Sequence, residues 1–133
     1  MKKTTALLIT AFVFVIGITL PAGTTPKEGK VNVINSEYSF TYNFPEKPKL
    51  GTYVLKVNLF KNNEKVKDLT VLVSYNMPTC SHHSSGKLVT MQLNKKNDYL
   101  IPLNFVMRGT WEITLIFQRN GKNLHSEKFS VEI

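Results

Sequence analysis

At 133 residues the chain has room for one domain of ordinary size and not for two hydrophobic cores. It carries 17 Lys and Arg against 9 Asp and Glu, a formal net charge of +8, with 42% hydrophobic residues and a single Cys. One cysteine excludes an internal disulfide framework. The lysines are scattered through turns and outward strand positions without forming a block or the clustered or aromatic-interleaved patch that nucleic-acid binding requires, so no nucleic-acid partner is expected.

The first element is an export segment. Lys2 and Lys3 precede an uncharged run from Ala6 to Leu20, followed by Pro21-Ala-Gly-Thr-Thr-Pro26. A basic start, an apolar middle shorter than the roughly 20 residues of a spanning helix, and a small-residue tail are the parts of a secretory signal peptide. Cutting after Ala22 leaves the large Leu20 where a small residue is preferred, so residues 1–23 read either as a signal peptide or as an uncleaved membrane anchor attached through residues 6–20. Both place the remainder outside the cytoplasm, periplasmic or extracellular. Without Lys2 and Lys3 the 17 basic residues fall to 15 against 9 acids, leaving a net +6 on a surface with some attraction for anionic lipid or wall polymer.

Residues 24–36 read as a linker and a first short strand, Val31–Ile34, and residues 37–133 as the folded domain. There the apolar residues recur every second position, the period of half-buried strands, and no helix-length 3.6-residue pattern appears. Glu37 to Phe44 places Tyr38, Phe40, Tyr42 and Phe44 on one face. Pro45 to Gly51 breaks the run, and Thr52 to Phe60 resumes it with Tyr53, Leu55, Val57 and Leu59 inward. Lys61-Asn-Asn-Glu-Lys65 turns the chain into Leu69–Tyr75. A ten-residue connection, Met77 to Gly86, leads to a weaker strand over Lys87–Leu93. Tyr99, Ile101, Leu103 and Phe105 alternate next, with Pro102 pointing to an edge because it cannot donate to a ladder. Trp111–Phe117 follows Met107-Arg-Gly-Thr110, Asn120-Gly121 is a hairpin signal, and Phe129, Val131 and Ile133 close the chain.

Seven or eight strands at about ten-residue spacing, with no room for crossover helices, predict an all-β fold: an antiparallel two-sheet sandwich of the immunoglobulin-like kind, with a small closed barrel as the alternative. The inward aromatics supply its core and are structural by default.

The Met77–Gly86 connection gathers the only Cys and two of the three His: Met77, Cys80, His82 and His83 lie within seven residues. Thiolate, imidazole and thioether are soft or borderline donors, the set that favours Cu(I) or Zn over oxygen-binding metals. In an oxidising compartment an unpaired Cys80 is an intermolecular partner, a reactive thiol or a ligand, and its polar neighbours offer no apolar pocket for an inert buried thiol. A Met107 turn at the same end of the sandwich would add a second thioether; its competing role is packing beside Trp111. Met91 reads as core and His125 as a solvated strand-end residue. The plain alternative for the whole connection is a polar hairpin tip that happens to hold a cysteine. Zinc is the alternative metal, although the spaced Cys and His pairs of structural zinc sites are missing.

From about Gly51 to Ile133 the chain resembles the YtkA-like and FixH-like group of small exported or membrane-anchored bacterial domains. The resemblance rests on Gly51-Thr-Tyr-x-Leu55, the Met77-Pro loop with downstream His and Gly, Tyr99-x-x-x-Leu-x-Phe105, and Met107-Arg-Gly-Thr-Trp111 before an alternating strand. It implies an immunoglobulin-like sandwich outside the cytoplasmic membrane, with members often associated with copper handling or assembly of copper-containing respiratory oxidases. Cys80 stands where that group commonly has Met. The expected function is therefore metal binding, with copper as cofactor and a metal-recipient or membrane protein as partner; the competing function is an exported protein–protein interaction module without metal. Catalysis is not expected, because a Cys nucleophile needs a base and an orienting group, and no acid lies between Asp68 and Asp98.

Overall fold

The computed structural model describes residues 28–79 and 85–133. Their secondary structure is ten strands: β1 (Asn32–Val33), β2 (Tyr38–Asn43), β3 (Gly51–Lys61), β4 (Glu64–Val66), β5 (Thr70–Asn76), β6 (Ser85–Thr90), β7 (Gln92–Leu93), β8 (Tyr99–Phe105), β9 (Thr110–Arg119) and β10 (Lys122–Glu132). All eight alternating runs of the sequence are strands. The two additional ones arise because the chain after the Asn62-Asn63 turn pairs back briefly as β4, and because Lys87–Leu93 divides at Met91.

The strands form two antiparallel sheets. One has the order β1-β2-β3-β8-β7, with β4 also on β3, and the other the order β10-β9-β5-β6. Met91 is the crossing point between them: its side chain is buried in the core and its N–H donates to the Val71 carbonyl at 2.9 Å, so β6 stays on β5 while β7 joins β8. Two tight turns rest on residues that tolerate positive φ. Asn62 and Asn63 (φ 50° and 65°) join β3 to β4, and Asn120 and Gly121 (φ 51° and 76°) join β9 to β10, the left-handed pair that matches the twist of a two-residue hairpin. Pro102 sits where β8 has outrun β7, which reaches only Tyr99 and Leu100, so its missing N–H costs no ladder bond.

Between the sheets lies a single apolar layer. Tyr38, Phe40, Leu55, Val57 and Leu103 of the first sheet face Val71, Ile113, Leu115, Phe117 and Phe129 of the second, all buried. Phe40 contacts Phe117 at 4.7 Å between ring centroids, and Tyr42 stacks on Phe129 at 4.5 Å. Each ring that leaves water on folding removes a large apolar area, which offsets the entropy of ordering ten strands without a disulfide.

The two ends of the layer differ chemically. At the end where β2, β5 and β8 begin, buried hydroxyls and carboxylates pair. The Tyr38 hydroxyl donates to Asp68 Oδ2 at 2.6 Å, and the Tyr99 hydroxyl to the Leu69 carbonyl at 2.7 Å. Burial, reinforced by the Asp68 charge, pushes the Tyr99 phenol up to about 12. Asp98 is buried, accepts from the Lys65 ammonium and from Asn94 Nδ2 at 2.9 Å, and its carboxyl is held below the ordinary Asp value, first by the Lys65 hydrogen bond and then by Asn94.

A carboxylate whose pKa is depressed by folding adds stability that is present above its unfolded value, near 4, and is lost as the pH falls through its folded value. Asp98→Asn is therefore expected to lower stability at pH 7 by on the order of 1–2 kcal/mol, modest because Lys65 is one-third exposed. Urea unfolding across pH checks this: the gap between the two proteins narrows below about pH 4, and a gap that widens on acidification contradicts it.

Candidate functional site

The opposite end, where β3 and β9 begin and β5, β8 and β10 finish, is aromatic. Phe105 lies at its centre, with ring centroids of Trp111, Phe44 and Tyr75 at 5.2, 5.8 and 5.9 Å, mostly edge to face. Tyr53 adds its ring at 6.3 Å from Phe105 and accepts the Lys49 N–H on its hydroxyl at 2.8 Å. The Tyr75 hydroxyl accepts the Asn104 N–H at 3.3 Å, on the side of β8 that β7 leaves open.

On this base stands the turn 106–109. The Trp111 indole N–H donates to the Met107 carbonyl at 3.0 Å, and Gly109 and Ile133 exchange two backbone hydrogen bonds, at 3.2 and 3.0 Å, that continue the β9–β10 ladder. Gly109 has φ +136°, and a Cβ there would lie 2.7 Å from the Met77 Cε. The positive φ is the reason residue 109 is glycine, and the Met77 methyl, the free end of a flexible side chain, fills the space that a Cβ would need.

Met77 and the Met107 turn are thus at one end of the sandwich. Met77 follows β5 directly and is buried at 6% exposure, with its methyl against Gly109, while Met107 is 38% exposed on the turn. Cys80, His82 and His83 lie outside the described residues. Their flanks are fixed by Asn76 pairing with Glu112 at the start of β9 and by Ser85 pairing with Tyr75, so the connection leaves and rejoins the fold at this end. Among the described residues no group of three His, Cys, Asp or Glu could hold a metal ion. Of the candidate donors, the described residues thus contain the buried Met77 and the exposed Met107.

The two weaker candidates lie elsewhere. Met91 is core, as expected. His125 is not a solvated strand end: it lies within β10 opposite Phe117, points between the sheets, and its Nε2 is 2.6 Å from Glu127 Oε1. Counted back by twos from Phe129, His125 falls on the same face of β10, and the bulge near Leu124 lies before it.

Beside the turn the surface has an apolar character that the expected inward faces did not include. Leu50, Val54 and Val106 are each at least half exposed, and Pro48, Lys49, Leu50, Arg108 and Ile133 line an open groove of about 420 Å3. The signal was legible: Val54 shares the outward face of β3 with Lys56, a position where a polar residue is ordinary.

A family model described as YtkA-like matches residues 32–116, from β1 into β9. No curated protein and no solved structure matches the chain.

The Met77–Gly109 contact has a measurable consequence. Gly109→Ala is expected to lower stability by about 1–3 kcal/mol, chiefly through backbone strain at its positive φ and to a smaller degree by displacing the Met77 methyl. Met77→Ala removes the methyl that it meets, so a double-mutant cycle should give a coupling energy of at least about 0.5 kcal/mol. Strict additivity in denaturant midpoints would place the two residues apart.

Proposed function

Since the chain belongs to the YtkA-like family, we propose that it is an extracytoplasmic β-sandwich module that binds a soft metal ion, Cu(I) in preference to Zn, as cargo for a metal-recipient or membrane protein. The observation that carries this reading is the shared end: the Met77 methyl packs against Gly109 of the Met107 turn, so the connection holding Cys80, His82 and His83 starts from the same surface that exposes Met107.

The donor chemistry fits a monovalent d10 ion. Cys80 supplies a thiolate, His82 or His83 an imidazole, and Met107 a neutral thioether, all softer than the carboxylates that hold Ca or Mg. Met77 spends part of its side chain on packing, so its role is to seat the connection on the turn as well as to offer sulfur. The aromatic base of Phe105, Trp111 and Tyr75 supports the Met107 turn. The module binds and passes on a ligand in this reading; it performs no catalysis.

A competition titration of the full chain with Cu(I), its thiol kept reduced, tests the proposal. About one equivalent should bind, Cys80→Ser and His82→Ala should each weaken binding at least about tenfold, near 1.4 kcal/mol, and Met107→Leu less. Unchanged affinity in both loop variants would refute the site and leave the metal-free interaction module as the reading.

A further inference from the structure

We propose that the end of the sandwich bearing the 106–109 turn is a docking surface for an anionic lipid bilayer, with Leu50 and Val106 entering the interface and Lys49 and Arg108 meeting lipid phosphates. Gly51 pairs with Phe105, so Leu50 and Val106 are the next residues outward on β3 and β8 and form the rim of this end. The exposed Val54, opposite Pro102, is set apart by the polar Thr52–Asn104 pair, whereas Leu50 and Val106 are 50% and 57% exposed at the rim itself. Isolated exposed apolar residues need no explanation, but these adjoin one another and a groove that holds Lys49 and Arg108. Apolar side chains ringed by cations are what an anionic interface selects. The acids of the same end, Glu28, Glu46 and Glu132, line a separate cleft on the β2–β10 side. Two of them are engaged, Glu28 by the Phe44 N–H and Glu132 by the Thr110 hydroxyl.

The place where the chain enters the fold selects a bilayer over other occupants. Glu28 and Gly29 bond to Phe44 and Tyr42, and from there the chain runs through β1 away from this end. Residues 21–27, between the apolar run 6–20 and Glu28, span at most about 25 Å when fully extended. The 11-residue β3 is about 36 Å long. With the run 6–20 inserted, the turn end is the one held nearest the lipid. This inference does not depend on metal binding, since Leu50, Val106, Lys49 and Arg108 belong to no donor set.

Amide hydrogen exchange on the full chain tests it, in metal-free buffer, in phosphatidylglycerol–phosphatidylcholine vesicles, in phosphatidylcholine vesicles and in detergent micelles. The amides of residues 49–51 and 106–108 should exchange at least about threefold more slowly in the anionic vesicles than in micelles, while residues 62–63 and 95–97 at the far end stay unchanged. Lys49→Glu/Arg108→Glu should remove the difference between the two vesicle types, and Leu50→Asp/Val106→Asp should remove the protection altogether. Both double variants alter exposed positions, and Trp111 fluorescence verifies their fold. Equal rates in both vesicle types and in micelles overturn the proposal, as does protection at the far end. Protection that appears in micelles on raising the protein concentration overturns it too, by assigning the surface to a second copy of the chain.

Discussion

A methyl group set against a glycine ties the two sheets together at the aromatic end of this molecule. The Met77 methyl takes the space that a side chain at position 109 would fill, and the Trp111 indole holds the same turn from below through the Met107 carbonyl. The contact joins the end of β5, in the middle of one sheet, to the turn that leads from the other sheet into β9. Around it, Met107 is held by the Trp111 indole and the Gly109–Ile133 hydrogen bonds, and the rim at Leu50 and Val106 by the Gly51–Phe105 pair.

The two ends of the apolar layer meet the cost of burying polar groups differently. The far end keeps Tyr38, Tyr99 and Asp98 inside by giving each a short, specific partner, which satisfies groups that would otherwise carry an unpaired desolvation penalty. The near end buries few polar groups and packs rings edge to face around Phe105 instead. A firm aromatic base beneath exposed loops is the arrangement that lets connections carry binding chemistry without disturbing the core. One edge of the second sheet, β10, carries a bulge near Leu124 and the His125–Glu127 pair, devices that discourage strand addition along it.

Period-two alternation made the fold legible because each strand buries one face. Tyr38, Phe40, Tyr42 and Phe44 are buried, as their spacing requires, and Asn120-Gly121 forms the hairpin its dihedral freedom allows. The split at Met91 was not legible: one residue donates its N–H to the opposite sheet, and the sequence on both sides still reads as one strand. His125 was misplaced because a polar residue reads as a strand end, although its parity with Phe129 and Val131 puts it on the same face of β10. Of the candidate site, the meeting of Met77 with the Met107 turn follows from strand register, which a single sequence does not specify over thirty residues. The apolar rim at Leu50 and Val106 stood in the sequence as departures from alternation.

The central claim is that soft donors converge at the end that the Met77–Gly109 contact builds. Copper K-edge absorption on the full chain, loaded with one equivalent of Cu(I) under reducing conditions, tests it most directly. A shell of sulfur with nitrogen, its sulfur contribution falling in Cys80→Ser and again in Met107→Leu, is the predicted result. A chain that retains no copper after desalting, or one whose copper has only oxygen and nitrogen neighbours, would contradict the account.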